Sequence, residues 1–217
     1  MRAHPLILAL YIAASWLSCA QPANPLNRQA ALINKQTDGR KSYGVDTALR
    51  IVRTGDMVLR RGSDATSYMF SRMNRKELTY SHCGIVIFHN GYPYVYHAIG
   101  GEDNPDALLR ADSLTTWMAP KSNELFGIYR HTLSVEELRK LVSVVTGYYK
   151  DEVKFDTRFD LNTDDRLYCA ELVAKALNRA KGMAYIQPSK RYGLYYYSID
   201  DLYLTASGKL IWQVTFK

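Results

Sequence analysis

His82-Cys83-Gly84-Ile85-Val86-Ile87-Phe88-His89-Asn90-Gly91-Tyr92-Pro93-Tyr94-Val95-Tyr96-His97 reads as a β-hairpin. Cys83–Phe88 is a β-rich apolar run, Asn90-Gly91 is the dipeptide that fits a two-residue hairpin turn, and Tyr94–His97 returns. Going outward from the hairpin, Phe126–Arg130 is a further strand, and Asp112–Met118 between them reads as a short helix. Ser134-Val135-Glu136-Glu137 is a capping box. It opens a helix with Leu138, Leu141, Val142 and Val145 on one face, its end weakened by Gly147. A second helix begins near Leu167 or Tyr168 and runs to about Lys181, with an apolar stripe of Leu172, Val173, Ala176 and Leu177 and a C-terminal Gly182. On the N-terminal side, Gly55-Asp56 is a turn before the strand Met57–Leu59. Ser63 or Asp64 then caps a helix reaching about Met73. Leu210–Phe216 has a strand pattern. Helices interleaved with an antiparallel core sheet make the class α+β.

Two stretches carry chemistry: Tyr80-Ser81-His82-Cys83-Gly84 at a strand start and Tyr168-Cys169-Ala170-Glu171-Leu172 at a helix start. A thiol at a helix N-terminus meets unpaired N–H groups and the positive end of the dipole, both of which favour thiolate. The same amides can hold an oxyanion during acyl transfer. A histidine beside such a thiol completes an activated nucleophile, so Cys169 is the expected nucleophile and His82 its base. His82 opens one arm of the hairpin and His97 closes the other, so pairing brings them near each other and lets His97 orient the imidazole. Tyr168 and Tyr80 are the candidates for contact with substrate. Glu171 lies two positions along the helix, about 200° round from Cys169, and reads as a structural contact. Asp156 and Asp160 either bind a cationic substrate or form turns, the commoner role. Cys83 follows His82 on a strand, so its side chain points to the opposite face and reads as core filler. With Cys83 turned away, no zinc-like ligand set remains, and no cofactor motif is present. The expectation is a thiol enzyme without metal or cofactor.

These residues resemble the permuted papain-like amidases, the YiiX-like branch of the NlpC-type cysteine peptidase superfamily. The resemblance rests on an ordered set: Gly55-Asp56-Met57-Val58, Tyr80–Ile85, Pro93–Ala98, Phe155-Asp156 with Phe159-Asp160, and Asp165–Val173. It implies a circularly permuted papain-like fold in which the histidine precedes the cysteine. The family roles fall on Cys169 as nucleophile, His82 as base and His97 as orienting residue. Two positions depart from the pattern. The orienting position is often glutamate in this branch, and the position of Cys83 is usually a small residue such as valine or threonine. The activity implied is hydrolysis of an amide, in a cell-wall peptide or another small amide, through a thioester. Lipid acyl transfer or deacylation is the alternative, since lecithin retinol acyltransferase is similar to this superfamily. A non-catalytic envelope binding lipoprotein is the reading from another class, and the presence of Cys169 counts against it.

The first residues bear on location. Leu6–Leu17 is apolar and uncharged, about the length of a signal-peptide core and short for a membrane span. It ends on Leu17-Ser18-Cys19, which resembles a lipobox with Cys19 as the lipidated residue; cleavage after Ala20 is the competing reading. Residues 1–20 are therefore read as a signal peptide, 21–48 as a tether with Pro22, Pro25, Gly39 and Gly44, and 49–217 as the catalytic domain. Both leader readings export the protein to the bacterial cell envelope. The +7 formal charge admits an anionic partner, yet the basic residues are scattered and no nucleic-acid-binding motif accompanies them. The partners expected are a peptide, amide or acyl-lipid substrate and, through the anchor, the membrane.

Overall fold

In the computed structural model the described residues are 44–101, 103–191, 193–204 and 208–216. The leader, Cys19 and most of the tether segment lie outside them. Residues 44–51 are helical (α1), and Ala48 is fully buried against the sheet. The folded domain thus reaches back past residue 49, into the segment read as tether, because an apolar sheet face needs this helix as its cover.

Among the described residues one antiparallel sheet has the order β4-β3-β2-β1-β5-β8. Its strands are β1 (Met57–Gly62), β2 (His82–His89), β3 (Tyr92–His97), β4 (Arg110–Ser113), β5 (Asn123–His131) and β8 (Gly208–Thr215). Side-chain alternation along the central strands splits the core in two. Met57, Leu59, Cys83, Ile85 and Ile87 face α4 (Val135–Lys150) and α5 (Cys169–Lys181), where Leu141, Val145, Leu172 and Leu177 meet them. Val58, Val86, Val95, Phe126 and Ile128 face the other way, toward α1 and Trp117 of α3 (Leu114–Trp117). A small hairpin, β6 (Ser189–Arg191) with β7 (Leu194–Tyr196), and the helices α2 (Ala65–Ser71) and α6 (Asp201–Leu204) complete the domain.

Local signals account for most of these elements. Asn90 and Gly91 both take positive φ, 50° and 83°, as the hairpin turn requires. Ser134 and Glu137 form the reciprocal capping box of α4, which continues through Gly147 to Lys150. Gly182 ends α5 in the left-handed conformation. Gly55, at φ 89°, turns the chain so that Asp56 is buried. There its carboxylate accepts two hydrogen bonds from Arg130, at 2.6 and 2.8 Å, and one from Arg53 N–H at 2.8 Å. The expected helix over 112–118 is shorter than its pattern suggests. Ala111, Asp112 and Ser113 pair with Tyr96, Val95 and Tyr94, because the open edge of β3 offers unpaired backbone groups to this segment. Only Leu114–Trp117 is helical, capped by the Ser113 side chain.

Candidate active site

α5 begins at Cys169, whose thiol is held by the first turn and by the strand beneath it. The groups that act on its sulfur are the Cys83 thiol, the N–H of Cys83 and the N–H groups at the helix start, including Ala170. These donors, the Cys83 thiol foremost, outweigh burial and hold Cys169 below the usual thiol range. Burial pushes Cys83 the opposite way, well above that range, so it stays protonated and donates. Cys83 fills the core as expected, fully buried in the cluster beneath α5. It points away from His82, and that face of the sheet is the one on which α5 packs.

His82 and His97 lie at adjoining ends of β2 and β3, on the Trp117 side. The two rings are perpendicular, and His82 Nε2 is 2.8 Å from His97 Nδ1. His97 Nε2 in turn lies 3.0 Å from Asp112 Oδ2 on β4. Asp112 is held down to about 2, by the hydrogen bond from His97 first and by Arg110 as well. Burial lowers both imidazoles, and His97 and the Arg60 guanidinium lower His82 further. Neutral rings beside an ionised carboxylate leave one consistent proton pattern. His97 donates from Nε2 to Asp112, so its Nδ1 must accept from His82 Nε2–H. The unprotonated nitrogen of His82 is then Nδ1.

His82, Cys169, Tyr168 and Arg60 line one cavity with about 790 Å³ of empty space, its mouth included. Most of its wall is apolar: Phe70, Met73, Phe155, Phe159, Tyr196 and Ile199. Phe159 sits at φ 57°, a conformation that bulky side chains avoid. The carboxylate of Asp156 enforces it, accepting from the N–H groups of Arg158 and Asp160 at 2.7 Å each. The ring of Phe159 thereby lies 4.7 Å from that of Tyr168. Asp156 and Asp160 thus take the turn-forming role, Asp160 accepting from Asn162 N–H.

The two tyrosines expected to meet substrate separate. Tyr168 is in the cavity wall, its hydroxyl accepting from Tyr197 N–H at 2.6 Å. Tyr80 is not: it is fully buried under α6, edge-on to Tyr129 and Tyr203, and its hydroxyl donates to Gln213 at 2.9 Å. Its ring fills the space left by Gly127, where a Cβ would come within 2.4 Å of the Tyr80 hydroxyl. Glu171 is the structural contact expected, accepting from Tyr168 N–H and pairing with Lys175 at 2.8 Å. Sequence reasoning missed Asp112 and Arg60. No local pattern marks Asp112, which meets His97 only through the pairing of β4 with β3. Arg60 lies directly opposite His82 in the β1–β2 register, donates to the Trp117 carbonyl and lies over that indole. Among the described residues no three His, Cys, Asp or Glu side chains are grouped to hold a metal ion.

Residues 51–203 match the family described as permuted papain-like amidase enzyme, YaeF/YiiX, C92 family. The chain is similar to the uncharacterized protein YiiX of Escherichia coli, with 28% identity over 133 residues. That stretch spans 60% of this chain and 60% of YiiX. The fold is similar to the crystal structure of the metalloprotein yiiX from Escherichia coli, with a TM-score of 0.61 at 23% identity, over 75% of this chain and 98% of the other.

Proposed function

The chain belongs to the permuted papain-like amidase enzymes of the YaeF/YiiX family, and from that premise we propose that it is a cysteine hydrolase with Cys169 as nucleophile, His82 as base and His97 as orienting residue. The single observation carrying this reading is the relay from Asp112 through His97 to His82, which leaves Nδ1 of His82 as acceptor on a residue that lines the same cavity as Cys169. In the acylation step the Cys169 proton passes to His82 Nδ1 as sulfur attacks the amide carbon. The N–H groups at the start of α5 stabilise the oxyanion. Collapse returns the proton to the departing amine and leaves a thioester on Cys169. Water, deprotonated by His82, then releases the acid and the thiol. The charge that His82 acquires is stabilised through His97 by Asp112.

The substrate is an amide, of a cell-wall peptide or another small amide. The apolar cavity wall favours a second reading, in which the acyl group is a lipid chain that is transferred or removed by the same thiol chemistry. The leader run Leu6–Leu17 supports export to the cell envelope, with Cys19 as anchor.

Limiting iodoacetamide at neutral pH should label Cys169 ahead of Cys83. Screening peptidoglycan fragments, acyl-lysine amides and phospholipids should find turnover that Cys169→Ala removes and His82→Ala lowers by roughly 10²–10⁴. Preferential labelling of Cys83, or full turnover in His82→Ala, would overturn the assignment.

A further inference from the structure

The walls of the cavity continue outward into a rim of unusual composition. α2 turns Phe70 inward, while Tyr68 and Met69 stand 63% and 70% exposed. On the facing hairpin Tyr196 is buried in the wall, and Leu194 and Tyr195 are 71% and 56% exposed. Hydrogen bonds lock the two sides into one surface. Tyr196 Oη donates to the Met73 carbonyl at 2.8 Å, and Arg75 Nη1 to Ser189 Oγ at 2.8 Å. Cations accompany the apolar tips: Arg72 lies over the Tyr68 ring, Lys190 lies over Tyr195, and Lys76, a few residues beyond α2, is exposed. The acids of this region are engaged. Asp64 accepts from Ser67, and Glu77 accepts from Tyr203 Oη.

Large apolar side chains this exposed, interleaved with Lys and Arg, are costly in water and suited to a headgroup boundary. There rings and alkyl tips reach the acyl region while cations meet anionic phosphates. We propose that α2 and the β6–β7 hairpin form an interfacial docking face for an anionic lipid bilayer, seating the cavity mouth on the membrane surface. The occupant follows from charge complementarity. The exposed cations of the rim match an anionic surface, and its apolar tips match an acyl boundary that a soluble polyanion lacks. Docking here is separate from any anchor at Cys19, since it orients the mouth toward the bilayer.

Hydrogen exchange on the full chain distinguishes the two. With vesicles of phosphatidylcholine and equimolar phosphatidylglycerol, peptides covering residues 65–72 and 189–196 should gain protection, and with phosphatidylcholine alone they should gain little. Lys76→Gln with Lys190→Gln should lower the partition coefficient about 25-fold, since each cation near an anionic surface contributes about a factor of five. Tyr68→Ser with Leu194→Ser should remove the protection of both segments while the far-ultraviolet spectrum is unchanged. Cys169→Ala should dock like the parent chain, so failure of docking and failure of the amidase assignment are separable. Protection confined to other segments, indifference to the serine pair, or equal protection by soluble polyglutamate would overturn the proposal, the last in favour of an acidic polymer.

Discussion

Asp112 is the residue on which the proton pattern of the site turns. A carboxylate can only accept, so it fixes His97 as the Nε2–H tautomer and, one bond further, His82 with its Nδ1 unprotonated. The His97 imidazole is thereby backed by an ionised carboxylate. In Asp112→Asn the amide N–H₂ can face His97 and hold the opposite tautomer, which places the His82 proton on Nδ1. Turnover should then fall roughly 10²–10⁴-fold at nearly unchanged KM. The imidazole ¹⁵N shifts of both histidines should move with it, a signature that mere loosening of β4 would not give. Equal turnover in the variant would show that His97 needs no partner. The pair His82 and His97 was legible because a hairpin with a two-residue turn has a defined register. Asp112 was not, because its local sequence reads as a helix start and only the open edge of β3 makes it a strand residue.

At the scale of elements, α5 carries both the proposed nucleophile and an unusual acid. Burial raises Glu171 to about 7, against the favourable effect of Lys175. Its folded value lies above the unfolded value near 4.5, so the folded state holds this proton more tightly. The stabilising contribution is complete below about pH 4.5 and is lost as the pH rises through about 7, amounting to about 3 kcal/mol at most. Glu171→Gln should therefore flatten the fall in Tm between pH 5 and 8, and above pH 7 it should melt higher than the parent. A parent chain whose Tm is constant over that window would contradict the burial argument. The helix itself was plain in the sequence, from its apolar stripe to Gly182. That its first turn rests on Cys83 was not, since strand alternation says which residues share a face but not what packs on each.

For the whole molecule, the +7 charge suits either a soluble anionic polymer or an anionic membrane, and the proposed export would decide which surfaces the protein meets. Expression in a bacterium should give a mature N-terminus at Cys19 bearing a diacylglyceryl group, read by intact mass after extraction from the membrane fraction. A mature chain beginning at Gln21 would mean plain cleavage and a soluble envelope protein. The α+β class, the hairpin, the caps and both ends of α5 were settled by the sequence, because each depends on interactions within a few residues: turn φ angles, capping side chains and a helical apolar stripe. Cys169 and His82 also stood out there, through residue types that acquire chemistry from their position in one element. The partners of those residues were settled only by tertiary structure. Cys83 reaches Cys169, Asp112 reaches His97, Arg60 faces His82 and Tyr80 withdraws into the core because segments distant along the chain pack together. No local propensity encodes which face of a sheet a distant helix will cover.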